Sequence, residues 1–286
     1  MLIFSHAEYF GLIALGIGVG LFGTLIGAGG GFVLMPALLL LYPQVPPEHL
    51  TAISLAVVFF NALSGSESYA VMRRIDYKSG LMFAAATIPG AVIGALNTGA
   101  VPRHVFNGIF GGVLVAIAVF LLIRPEHRQL ARMRGRGHLL HGVTDRVLER
   151  HLVEASGQCH DYAFNPVLGI GLSFGVGYAS SFLGIGGGII HVPALIYLLN
   201  FPVHIATATS HFILAIMALT GTLVHLWTGT LSHAARQTLS LAIGVVIGAP
   251  LGAQLSNRIQ GPWIVRCLAV ALGLAGLRIF WMFVQQ

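Results

Sequence analysis

The stretch Gly27-Ala-Gly-Gly-Gly31-Phe-Val-Leu-Met-Pro36-Ala-Leu38 returns in the second half of the chain as Gly184-Ile-Gly-Gly-Gly188-Ile-Ile-His-Val-Pro193-Ala-Leu195. The glycines, the proline and the Ala-Leu after it coincide. Working outward, Gly18 and Gly20 align with Gly175 and Gly177, and Thr51-Ala-Ile-Ser54 aligns with Thr207-Ala-Thr-Ser210. Ala62-Leu-Ser-Gly65 then aligns with Ala218-Leu-Thr-Gly221, and Gly90-Ala-Val-Ile-Gly-Ala95 resembles Gly248-Ala-Pro-Leu-Gly-Ala253. Agreement in this order over this length reads as an internal duplication.

Composition fixes the solvent. Of 286 residues, 56% are hydrophobic and 8% charged, with a mean hydropathy of +0.85. Soluble domains carry roughly 25% charged residues. Twelve of the 24 Asp, Glu, Lys and Arg residues fall between Arg124 and Asp161, which leaves long spans almost bare. Apolar runs of ~18 or more residues read as membrane spans. The net charge of +6 and pI near 9.8 come from basic residues in loops beside those spans, as the positive-inside bias requires, and not from a nucleic-acid surface. Cys159 and Cys267 lie in a polar loop and an apolar span, so no disulfide framework is read. The first residues, up to Tyr9, carry no basic region and no cleavage signal, and read as the start of a retained helix.

The expected fold is therefore an all-α polytopic membrane protein with eight hydrophobic segments, forming eight to ten transmembrane elements. They lie at roughly 9–42, 50–71, 79–98 and 104–123, then 164–199, 204–228, 238–256 and 262–284. This gives a first transmembrane repeat over 1–123, a basic loop over 124–162 and a second repeat over 163–286. The first segment of each repeat is too long for one crossing, since over 30 residues at 1.5 Å each reach about 50 Å against a hydrocarbon core of ~30 Å. Glycine costs about 1 kcal/mol relative to alanine in a helix. Each long segment is expected to break at its triplet, Gly29–Gly31 and Gly186–Gly188. Pro36 and Pro193 follow about a turn later, where a missing N–H is expected to cost little.

The basic stretches Met72–Lys78 and 124–161 read as cytoplasmic on an inner-membrane protein, and Tyr42–His49, without Lys or Arg, as external. Arg236 and Arg258 fall in opposite short loops of the second half. A single crossing for each long segment makes the halves parallel; a full hairpin makes them inverted, and charge counting does not choose. Within the basic loop, Leu140, Val143, Val147 and Leu148 suggest a short amphipathic helix over Leu139–Glu154.

A helix broken in lipid leaves backbone groups that only protein or a wet cavity can satisfy. A helix restarting at Gly31 or Gly188 would aim free N–H groups and its positive dipole end into that cavity, where anions bind. The competing reading is that glycines merely let helices pack closely. No Lys-Ser/Thr ends either run, which excludes a P-loop.

These residues carry a resemblance. The doubled Gly-x-Gly-Gly-Gly-x-x-x-x-Pro-Ala-Leu, each copy followed by Thr-Ala-x-Ser, resembles the sulfite exporter family known as TauE/SafE, or toluene-sulfonate uptake permeases. The resemblance implies a secondary membrane carrier for sulfite, sulfonates or related sulfur-containing anions, working by alternating access. Its candidate substrate-binding residues are Gly29, Gly30, Gly31, Ser54, Asn61, Gly186, Gly187, Gly188, His191, Thr209, Ser210 and His211. Glu67, His211 and His225 are the candidates for proton coupling, because ionisable groups at membrane depth are functional by default; Glu67 pairing with Arg73 or Arg74 is the alternative. His191 stands where the first copy has Leu34, and His211 where it has Leu55, so the halves are not equivalent. No cofactor and no metal site are read. The expected partners are a small anionic substrate, protons as the coupling ion, the lipid bilayer and a second copy in a homodimer. A passive anion channel, or a membrane-embedded enzyme using His191 and His211, are the competing functions.

Overall fold

The structure is a computed structural model, and it describes residues 6–123, 147–231, 234–256 and 262–284, with side chains from Tyr9 in the first helix and from Ala269 in the last. Among the described residues there are ten helices and one two-stranded hairpin. The first five helices are α1 (His6–Ile26), α2 (Gly31–Leu41), α3 (Pro47–Val71), α4 (Tyr77–Thr98) and α5 (Arg103–Ile123). The hairpin pairs β1 (Leu148–Val153) with β2 (Cys159–Phe164) in antiparallel register, Leu148 opposite Phe164. Then come α6 (Pro166–Leu183), α7 (Gly188–Tyr197), α8 (Val203–Trp227), α9 (Ala235–Leu255) and α10 (Pro262–Val284).

Seven described helices are long and apolar enough to cross a membrane. Their outward faces carry Leu81, Ile93, Leu223, Trp227, Leu239 and Ile247 exposed, a pattern suited to lipid and not to water. Starts are marked by ordinary signals: Pro47 and Pro166 stand at first-turn positions, and Asp76 and Asn165 cap α4 and α6.

Contacts at the helix ends sort the molecule into two faces. On one, Arg74 bonds Glu154, Ala155 N–H donates to the Met72 carbonyl, and Asn200 donates to the Ala163 carbonyl. This hairpin face therefore gathers the end of α3, the start of α4, the start of α6 and the end of α7. On the opposite face, Arg103 bonds the carbonyls of Leu39, Tyr42 and Val45, and His49 pairs with the Thr230 carbonyl. That face gathers the ends of α2 and α8 and the starts of α3 and α5.

The chain directions follow. α6 runs inward from the hairpin face and α7 returns to it; α2 returns to the opposite face, from which α1 came. α1 lies parallel to α9, with Ile13, Ile17 and Leu21 carbonyls against Gly244, Gly248 and Gly252. α4 lies parallel to α6 in the same way, with Phe174 and Tyr178 carbonyls against Gly90 and Gly94. Helices α3 and α8 occupy the centre and run in opposite directions. α5 and α10 are antiparallel, Gly108 lying against Phe283 and Gly276 against Gly111 and Leu114.

The core beneath this frame is continuous from α2 through α5 to α10, with Phe32, Leu34, Leu38, Phe106, Phe110 and Leu114 buried.

Two expectations change. Leu148–Val153 is a strand, not the end of an amphipathic helix: it pairs with β2, and its side chains alternate with period two, Leu148, Arg150 and Leu152 half-buried and Glu149, His151 and Val153 exposed; the part of that stretch before residue 147 lies outside the described residues. Pro36 and Pro193 are the sixth residues of α2 and α7, beyond the four donors that lack helical partners. Their missing N–H groups therefore free the Phe32 and Ile189 carbonyls. The basic positions Arg124–Arg146 and Arg258 fall outside the described residues, as do the side chains of Arg266 and Cys267.

Candidate functional site

Helix α1 stops at Ile26 and α2 starts at Gly31; α6 stops at Leu183 and α7 starts at Gly188. Between them the chain turns back through left-handed backbone at Gly27, Gly29 and Gly30, and at Gly184, Gly186 and Gly187. L-residues other than glycine enter that region at a cost of roughly 1–2 kcal/mol. Gly30 and Gly187 are the N-caps of α2 and α7 and offer no capping side chain, so the first-turn N–H groups have none there to accept from them. The two restarting helices point away from one another, α2 toward one face and α7 toward the other. Their positive ends therefore meet at mid-depth.

The two turns interlock. A Cβ on Gly31 would lie 2.7 Å from the Ile185 carbonyl carbon, and one on Gly188 2.6 Å from Ala28 Cα. Each turn also touches the central helix of the other half, Gly27 against Thr207 and Gly184 against Thr51. Glycine at these positions is thus demanded by conformation and by backbone-to-backbone packing.

The polar groups around the turns are buried and unevenly satisfied. Thr24 Oγ1 donates to Asn61 Oδ1 at 3.0 Å, and Tyr69 OH donates to the Thr24 carbonyl at 2.9 Å. Ser54 Oγ donates to the Gly184 carbonyl at 2.6 Å. The His211 ring meets Tyr69 edge-on at 5.5 Å and would crowd a Cβ on Gly65. It lies beside the Gly27 backbone, yet neither of its nitrogens makes a hydrogen bond of regular geometry. Asn61 Nδ2, Thr51 Oγ1, Ser66 Oγ, Ser180 Oγ, Ser181 Oγ, Ser210 Oγ and His225 Nε2 are buried without a partner as well. An unsatisfied buried polar group costs about 1–3 kcal/mol, and buried polar atoms are normally bonded. Of these unpartnered groups, Asn61 lies against Gly23 and Gly30, and Ser180 against Gly187, beside the two helix breaks, whereas His225 lies near His49.

The residues singled out from sequence separate into groups. Gly29, Gly30, Gly31, Asn61 and His211 come together around the first turn, with Ser210 next to His211 on α8, while Ser54 bonds the second turn, which Gly186, Gly187 and Gly188 form. His191 does not join them: it lies on α7 with Nε2 3.2 Å from Ser173 Oγ and its ring 6.4 Å from Phe83, toward the hairpin face. Thr209 Oγ1 accepts from the Asp76 N–H and so ties α8 to the α3–α4 corner. His225 is buried a turn beyond Gly221, near His49. Glu67 is exposed near the end of α3, and Arg74, its suggested partner, bonds Glu154 instead. Thr24, Tyr69, Ser180 and Ser181 were not singled out. Their signal was present, since Thr24 and Ser181 hold aligned positions three residues before the two breaks.

A second polar cluster lies outside the spans. Asp76 accepts from Tyr162 OH at 2.8 Å and from the Ser79 hydroxyl, with Arg150 Nε 3.5 Å away. Glu154 is 3% exposed between Arg74 Nε at 2.9 Å and His160 Nε2 at 2.8 Å. Burial pushes the Glu154 carboxyl up, but Arg74 and His160 outweigh it and hold the group below its usual range. Burial, reinforced by Asp76, raises Tyr162. The hairpin is therefore pinned to the α3–α4 corner by charge.

Comparison with known proteins agrees with the membrane reading. The model of the family described as sulfite exporter TauE/SafE matches residues 12–279. The probable membrane transporter protein YunE of Bacillus subtilis (strain 168) is 31% identical over 276 residues, covering 94% of this chain and 96% of the relative. A probable membrane transporter protein of Methanocaldococcus jannaschii is 24% identical over 278 residues, covering 93% of each. No solved structure matches significantly.

Proposed function

We propose, from the premise that the chain belongs to the sulfite exporter TauE/SafE family, that it is a secondary transporter of small sulfur-containing oxyanions. Membrane transport is the activity its relatives' names carry. The finer reading rests on one observation: two helix N-termini without a side-chain cap converge beside buried polar groups that have no partner.

Sulfite and sulfonates present three acceptor oxygens on one sulfur. Asn61 Nδ2, Ser210 Oγ and His211 are neutral donors around the first turn, and Ser180 and Ser181 around the second. The helix ends supply partial positive charge without a fixed cation that would hold the anion too tightly. His211 can carry a proton with the substrate, which makes it the coupling residue of choice over the exposed Glu67 and the more distant His225.

The two halves, 1–123 and 163–286 joined by 124–162, act as an inverted repeat. Aligned contacts are exchanged between them: Gly90 with the Phe174 carbonyl matches Gly248 with that of Ile17, and Gly184 with Thr51 matches Gly27 with Thr207. Gly65 with Thr24 and His211 matches Gly221 with Ser181 and Leu55. Such folds bind at the repeat interface and alternate by moving one part against the other. The basic loop and the hairpin face are cytoplasmic in this reading.

Melting of the purified protein with sulfite, thiosulfate, sulfoacetate, taurine and chloride tests it. A saturable rise in Tm with a sulfur oxyanion, lost in Asn61→Leu, is expected. Equal responses to all five, or none to the sulfur anions, would overturn the substrate class.

A further inference from the structure

The exchanged contacts make each hydrogen bond at the turns comparable with an aligned partner in the other half. Two pairs are unequal. Ser54, on α3, donates to the Gly184 carbonyl at 2.6 Å; Ser210, its counterpart on α8, is buried with no partner, and the Gly27 backbone, the counterpart acceptor, lies beside the neighbouring His211 ring instead. Tyr69, on α3, donates to the Thr24 carbonyl at 2.9 Å; His225, its counterpart on α8, leaves Nε2 unpartnered, although the Ser181 carbonyl is the counterpart acceptor. In both comparisons α3 holds the turn and α8 carries the equivalent donor unused. The packing of the turns is not unequal, since the first lies against Thr207 on α8 as the second lies against Thr51 on α3.

A two-fold relation between halves converts one state of such a molecule into another by exchanging the roles of aligned residues. We infer that α3 and α8 hold the two glycine turns alternately, the observed structure being the α3-held state. In the α8-held state Ser210 Oγ donates to the Gly27 carbonyl and His225 Nε2–H to the Ser181 carbonyl, while the Ser54 and Tyr69 bonds are released. The left-handed glycines are the hinges that let each turn change partner. The two states present the site between the turns to opposite faces. The inference rests on the carrier reading for its purpose, but not for its geometry.

Spin-label distances in lipid nanodiscs, with no substrate added, test it. Val71 and Val167 are exposed on the hairpin face; Trp227 and Phe10 are their aligned counterparts on the opposite face, also exposed. Exchange of states must swap the two distance distributions, so that the minor distance of Val71–Val167 is the major one of Trp227–Phe10. Ser54→Ala weakens the α3-held state and is expected to raise the minor population about fivefold, as loss of one buried hydrogen bond does. Ser210→Ala weakens the other state and lowers it by a similar factor, and the double variant returns close to wild type. Unchanged helix content by circular dichroism across the variants excludes partial unfolding as the cause. One unchanging distance in every variant, or both substitutions shifting the populations the same way, would overturn the inference. Sulfite flux through the same proteins in liposomes separates the two readings: exchange without sulfite flux refutes the substrate, and sulfite flux without exchange refutes the alternation.

Discussion

Replacing Gly188 by alanine tests whether the interlocked turns carry the fold. The residue opens α7, and a Cβ there would stand 2.6 Å from both Ala28 Cα and the Gly27 carbonyl oxygen. Both neighbours are backbone, so no side chain can rotate away and one turn must shift against the other. Overpacking of this kind costs typically 1–3 kcal/mol. At roughly 2–4 °C per kcal/mol for a chain of this size, the expected fall in Tm is about 2–12 °C in detergent. Gly31→Ala meets the Ile185 carbonyl carbon at 2.7 Å and should fall by a similar amount. Gly175 is the control, since nothing lies within 4 Å of a Cβ there, and alanine in that helix should be neutral or slightly stabilising. Melting curves that place Gly188→Ala with Gly175→Ala would refute the packing of the turns as described.

Other consequences are read with similar assays. His211→Leu removes two unpartnered buried nitrogens, so Tm should hold or rise while sulfite flux falls at least tenfold; a loss of both would make His211 a structural residue. Glu154→Gln leaves Arg74 without its charge partner and should loosen the hairpin by about 2–3 kcal/mol, less than for a fully buried pair because Arg74 keeps 14% exposure; limited proteolysis between β1 and β2 reads it. Because the folded-state pKa of Glu154 is depressed, its contribution is present above the unfolded value of about 4.5 and fades as pH falls through and below it. The protection that wild type shows over Glu154→Gln should therefore persist down to about pH 5 and be lost only in stronger acid. Gly30→Val, with φ at 80° and Val19 O 2.8 Å from a Cβ, should abolish flux while the chain still inserts.

Membrane residence was legible because apolar periodicity is irrelevant when whole spans are apolar, and the long segments at 9–42 and 164–199 exceeded one crossing on length alone. Whether they crossed once or turned back was not legible. That depends on where Arg103 and Asn200 find their acceptors, contacts between elements far apart in sequence. Alignment of the halves or polarity in a span flags Ser54, Asn61, Ser210 and His211, and all four are buried. His191 carried the same flags and sits elsewhere, since one turn of α7 rotates it toward Ser173. Tyr69 was passed over because an aromatic residue in a membrane helix ordinarily reads as packing, and only the Thr24 carbonyl opposite its hydroxyl reveals otherwise. The hairpin could not be read as strand, because its alternation is set by charges on the α3–α4 corner.

The central claim is that the donors around the glycine turns bind a sulfur oxyanion for transport. Radiolabelled sulfite exchange in proteoliposomes, with wild type, Asn61→Leu and His211→Leu compared at matched Tm, tests it most directly. Wild type is expected to show saturable uptake that accelerates when unlabelled sulfite is loaded on the far side, and the two variants neither saturation nor acceleration. Uptake that rises linearly with concentration in the wild type, or that persists unchanged in both variants, would contradict it.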